Sequence, residues 1–137
     1  KKRTLDRYVI EWAEKAPREY VLPFYGLVET ILEDMAAVFT DRDKLLRHVG
    51  AVTLYFHLFR LARSQGWTTE IQRNRLDRFE QTRVENGLNI ALGESGNAEL
   101  IEFDRYAQSS NDAYAIKIRL RILLKAVFNW DMTVEEL

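Results

Sequence analysis

Apolar residues recur along most of this chain at i, i+3, i+4 and i+7, the spacing that gathers them on one face of an α-helix, and no stretch alternates convincingly enough for a strand. Leu5, Tyr8, Val9, Trp12 and Ala16 make the first such stripe, capped by Thr4 and broken at Pro17. A second helix starts around Pro23, acceptable in a first turn, and aligns Phe24, Leu27, Val28, Ile31, Leu32, Met35 and Phe39. Thr40 or Asp41 caps a third, LLRHVGAVTLYFHLFRLARS, which stops at Gly66; apolar nearly all round, it is expected at the centre of the fold. A fourth opens on Thr68 or Thr69, carries Ile71, Leu76 and Phe79, and ends near Asn86 and Gly87 or after Leu92. GESGN is a turn cluster, and AELIEFDRYAQ a short fifth helix built on Leu100, Ile101, Phe103 and Tyr106. The expected fold class is therefore all-α, a single bundle of about six helices with a buried central third helix.

The sixth helix follows from SSNDAYAIKIRLRILLK, residues 109–125. Ser110 or Asn111 can accept from the free amides of the first turn, and Asp112 puts a negative charge at the positive end of the helix dipole. This capping chemistry accounts for the polar cluster without a ligand. Ile116, Leu120, Leu123 and Val127 form the apolar stripe, while Lys117, Arg121 and Lys125 recur every four residues on another face. That basic ladder is either a solvated surface or a contact for phosphates or an acidic partner. Arg119 lies off the ladder, and a salt bridge into the bundle, to Asp104 or Asp112, is its expected use.

Composition narrows the classes further. With 137 residues, 47% of them hydrophobic, the chain can close one sizeable core but hardly two. A net charge of −1 rules out a global field toward nucleic acid or an anionic membrane, so any basic contact is local. The absence of cysteine removes thiolate chemistry and suits a reducing, cytoplasmic setting. Arg60 and His57 interrupt the most apolar stretch, which reads as a buried helix and not as a membrane span. At the end of the chain, Thr133 and Glu136 have the spacing of a capping box that opens a helix. Residues 1–137 accordingly read as one helical domain taken from a longer protein.

Chemistry-bearing patterns are few. His48 and His57 stand nine residues apart on one expected helix and point to nearly opposite faces, so they cannot share a metal. His57 lines up with Thr53, Arg60 and Ser64 as a polar seam. No glycine-rich phosphate loop occurs, and no nucleophile and base pair can be nominated from spacing. Catalytic residues, cofactor and metal ligands are accordingly all assigned as none.

Two family resemblances remain. RDKLLRH, with Arg42 and His48, resembles the Arg-x(4–6)-His signature of HEPN ribonucleases, although it falls at the start of a middle helix. LIEFDRYAQSSNDAYAIKIRLRILLKAVF, a short helix with Phe and Tyr, then a polar cap, then a helix bearing Arg119, resembles the C-terminal helical part of the ParB/sulfiredoxin-like family at the N-terminal end of GmrSD-type restriction enzymes. The upstream stretch from Leu22 to Arg60 is similar to the same region. This second resemblance implies a non-catalytic helical module of a nucleotide-dependent defence protein. In that family the nucleotide chemistry belongs to a ParB-like domain and any nuclease chemistry to a His-Asn-His-like domain, whose motifs do not occur here. The implied partners are other domains of the parent chain, with DNA as an open contact; the alternative is a free-standing adaptor that binds a protein. Ser110, Asn111, Asp112 and Arg119 carry over only as cap and anchor.

Overall fold

The computed structural model describes residues 18–109 and 112–137, with side chains from Tyr25 onward. The expected first helix, and Ser110 and Asn111 as caps, lie outside the described residues. Among those described there are five α-helices and no strand: α1 Arg18–Ala36, α2 Ala51–Gln65, α3 Arg73–Ala91, α4 Ala98–Arg105 and α5 Ala113–Phe128. Short 3-10 turns punctuate them at Lys44–Leu46, Thr68–Glu70, Tyr106–Ser109 and Val134–Glu136. None of these helices is long and apolar enough to cross a membrane.

Helix starts depart from the sequence expectation where the local polar group has a better use. α1 begins at Arg18, so Pro23 sits in its second turn and forfeits one backbone bond. Neither Thr40 nor Asp41 caps a long helix. Asp43 does the organising, accepting from Thr40 N, Thr40 Oγ1 and Leu45 N, and it caps only the turn Lys44–Leu46. The chain then reverses through Gly50 at φ 75°, a left-handed conformation open to glycine, before α2 starts. Thr68 and Thr69 likewise enter a 3-10 turn, and α3 starts after Gln72 without a side-chain cap. Of the two ends considered for this helix the later one holds. Asn86 and Gly87 lie inside it, and Gly93 at φ 81° closes it.

Asp34 pairs with Arg63 while Phe39 packs on Tyr55 and Phe59, so α1 and α2 run antiparallel. Ile31, Met35 and Phe39 are buried, but Leu27 and Leu32, placed in the same stripe from sequence, are exposed because α1 packs chiefly on α2. α2 buries one face, through Ala51, Leu54, Tyr55, Leu58, Phe59 and Ala62, and leaves Thr53, Arg60 and Ser64 outside. The expected central third helix is thus half-exposed. α5 is the more enclosed element: Ala115, Ile118, Arg119, Leu120, Ile122, Leu123 and Leu124 are buried, and it packs on α2, α3, α4 and the C-terminal turn. Its apolar face is broader than the stripe Ile116, Leu120, Leu123 and Val127, because neighbours arrive from several sides. Buried side chains from every helix join one continuous core.

Candidate functional site

A polar layer crosses that core. Arg119 is 2% exposed, and its guanidinium lies 4.3 Å from the centre of the Phe103 ring. Nη1 donates to the Val49 carbonyl at 3.1 Å, Nη2 to His48 Nδ1 at 3.2 Å, and Nε is buried without a partner. Because Nδ1 accepts, the imidazole carries its proton on Nε2. Burial, reinforced by the charges of Arg119 and Arg83, brings His48 down to about 4. Burial also lowers Arg119 to about 10, leaving it charged at neutral pH, and raises the Tyr55 hydroxyl out of the working range. Asp104 is taken by Arg83 at 2.8 Å, and Asp112 faces solvent at the helix start, where Oδ1 accepts from Tyr114 N at 2.9 Å. Arg119 therefore makes neither of the salt bridges expected of it; it anchors α5 to the Val49 backbone and His48 instead.

A second knot ties α3 to the connection between α1 and α2. Both Nη atoms of Arg73 donate to the buried Asp43 carboxylate, Nη1 also to the Val38 carbonyl, and Nε to Asp77. Burial opposes the charge on Asp43. The hydrogen bonds from Arg73, Leu45 and Thr40 and the Arg73 charge outweigh it, holding the carboxyl well below the usual range. Neither knot assembles a nucleophile with a base. Among the described residues no group of three or more metal-ligating side chains comes together; His57 stands edge-on to Phe56, apart from the His48 cluster. Arg42 is exposed, at φ 54°, whereas His48 is turned into the core.

Of the basic ladder on α5, two members meet one acid. Glu99 on α4 accepts from Lys125 at 3.2 Å and faces Arg121 at 3.8 Å, while Lys117 has no partner among the described residues. Glu99 also forms one bank of a groove of about 220 Å³. Arg75, Arg78 and Thr82 on α3 form the other bank, and Phe79, Leu100, Ile122, Ala126 and Val127 supply an apolar floor. Among the described residues Arg78 makes no ion pair or hydrogen bond through its side chain. Arg75 meets Glu70 at 3.8 Å and lies over the Phe128 ring at 6.0 Å. The position of α4 beside this groove is set by its cap, since Asn97 Oδ1 accepts from Glu99 N and Leu100 N.

From Val84 to Ala91 every residue of α3 except Asn86 is exposed, as is Leu92 just after it. Val84, Leu88 and Leu92 are 47%, 60% and 76% exposed and recur every four residues. At about 100° per residue they stand opposite the face whose Phe79, Arg83 and Asn86 meet α4. Among the described residues they form an exposed apolar ridge.

No family model, curated protein or solved structure matches this chain. Function must therefore be argued from its own surfaces. Of the features that matter, the Arg119 interruption of an apolar run and the acidic start of α5 were visible in sequence, although the cap bond falls to Asp112 itself, which the sequence placed there as a dipole charge. Asp43, Arg73 and the Arg78 bank were not, since each depends on a partner at least thirty residues away or on the arrival of another helix. Helical spacing could have found the ridge, had Val84, Leu88 and Leu92 been set against the buried face of the same helix.

Proposed function

We propose that this chain is a non-catalytic contact module, the helical part of a GmrSD-like, nucleotide-dependent restriction or defence protein, with its uncovered surface turned toward a ParB-like domain of the parent chain. The observation that carries the contact reading is the ridge Val84, Leu88 and Leu92: large aliphatic side chains on successive turns gain by being covered and contribute nothing to chemistry in water. The ionisable groups of the two knots support it, because the hydrogen bonds of His48, Arg119, Asp43 and Arg73 go to one another, to the backbone and to neighbouring Thr40 and Asp77. The family assignment rests on the order of features from Leu100 to Phe128.

Sequencing the open reading frame on both sides of the chain is the first test. An upstream ParB-like domain bearing an Asp-Gly-Gln-Gln-Arg-type motif in the same frame is the expected result, and Leu88→Glu then loosens the two parts in limited proteolysis. A start codon directly before Lys1 overturns the family reading in favour of a free-standing adaptor, the alternative that the cation-rimmed groove favours. DNA contact through Lys117, Arg121 and Lys125 is the weaker branch, since Glu99 already engages two of the three. If the ladder does touch phosphates, replacing all three by Gln lowers both affinity and its salt slope. The HEPN-like ribonuclease reading has least support, with His48 held by Arg119 in the interior.

A further inference from the structure

We propose that the groove between α3, α4 and α5 is the docking site for an acidic, amphipathic segment of a protein partner, its carboxylate seated at Arg78 and Arg75 and its apolar side chain laid over Ala126 and Val127. The proposal rests on the contact-module reading, though not on which protein the module serves.

Charge and shape name the occupant together. Two cations, Arg75 and Arg78 on α3, line the groove, and Glu99, the one carboxylate among its lining residues, is itself met by Arg121 and Lys125 from α5. Glu99 engages the α5 pair and leaves the α3 pair open. Among the described residues Arg78 is unpartnered and Arg75 meets Glu70 only at 3.8 Å, so an incoming carboxylate gains a guanidinium without displacing a close ion pair. The floor is apolar, which a bare phosphate would leave wet but an aliphatic side chain would cover. At about 220 Å³ the space falls below the ~300–1,000 Å³ of small-molecule sites and suits inserted side chains from a peptide. A helical segment presents an acidic and an apolar residue side by side at i and i+4, the pairing that this groove requires. Glu99 then acts as a built-in competitor whose removal frees Arg121 and Lys125 for the ligand.

Fluorescence anisotropy on the full chain tests this with a short labelled peptide carrying Glu and Leu at i and i+4, against a control with Lys in place of Glu. The acidic peptide is expected to bind and the Lys control to fail. Arg78→Glu weakens binding by about tenfold or more, Ala126→Glu does so independently by placing a carboxylate on the exposed floor, and Glu99→Gln strengthens it several-fold. Both weakening variants alter exposed positions, and an unchanged thermal melt shows that the fold is intact. Equal binding of the Lys control, or indifference to Arg78→Glu and Ala126→Glu, overturns the proposal. Displacement of the peptide by inorganic phosphate or single-stranded DNA at lower concentration also overturns it, in favour of an anion or nucleic-acid site. If no peptide binds while Leu88→Glu still loosens the parent protein, the groove proposal falls and the module reading stands; if neither effect is seen, both fall.

Discussion

Arg119 brings a full charge into the middle of the bundle, and the structure accommodates it by using a carbonyl, an imidazole nitrogen and an aromatic face as partners. Arg119→Ala removes all three contacts, opens a cavity and leaves the His48 acceptor unfilled, so it is expected to cost about 3–4 kcal/mol in urea denaturation. Arg119→Lys should recover little, because an ammonium lacks the flat fork that stacks on Phe103 while reaching both acceptors. His48 makes the same environment pH-sensitive. Its folded value is about 4 against an ordinary 6.5, so between those limits the unfolded chain binds the proton more tightly. Stability is fully present above pH 6.5 and falls as the pH drops toward 4, by up to about 3 kcal/mol. A His48→Gln variant should lose that slope across pH 4–6.5 in chemical denaturation; an unchanged slope would assign it to other groups. Sequence made Arg119 conspicuous, since an arginine inside KIRLRILLK must find a partner. It gave no sign that the partners are His48 and Val49, about seventy residues away.

Each helix owes its position to a few polar junctions as well as to its apolar face. The Asp43–Arg73 pair joins the connection before α2 to the first turn of α3, and its two members are unequal in a mutation test. Arg73→Ala strands a buried carboxylate and is expected to cost about 3–5 kcal/mol. The cost should shrink below about pH 4, where Asp43 can take up a proton; its lowered folded value means that its contribution is present above the ordinary carboxylate range and lost as pH falls. Asn97→Ala removes the cap of α4, with an expected cost of about 1 kcal/mol and faster amide exchange confined to Ala98–Arg105. The polar start of α5 was legible because its cap bond stays within three residues, whereas Asn97, read only as part of a turn cluster, caps α4 by an equally local bond that the sequence reading did not single out. Thr40, Thr68 and Thr69 look equally good in sequence and cap no α-helix, because Asp43 and the 3-10 turn at Thr68–Glu70 settle those connections first.

Across the whole molecule the apolar residues divide into those that the five helices cover and those that they leave bare. Leu58 and Leu123 are 0% exposed, and truncating either to alanine should cost about 2–5 kcal/mol. Leu88→Ser and Leu92→Ser, on the ridge, should each change stability by less than about 0.5 kcal/mol while improving solubility and weakening whatever contact the ridge makes. Equal losses from the ridge and core variants in the same denaturation series would mean that the ridge is covered in the isolated chain. The all-helical class, most helix positions and a polar, acidic start for α5 were determined by the sequence itself, because hydrophobic period and cap bonds act over one or two turns. Only the tertiary structure decided that α5 and not α2 is the enclosed helix, that Glu99 occupies two of the three members of the basic ladder, and that Arg78 and Leu88 are left exposed without partners among the described residues. A stripe of leucines states that something must cover it; which helix arrives, and from which side, depends on packing among elements distant in the chain.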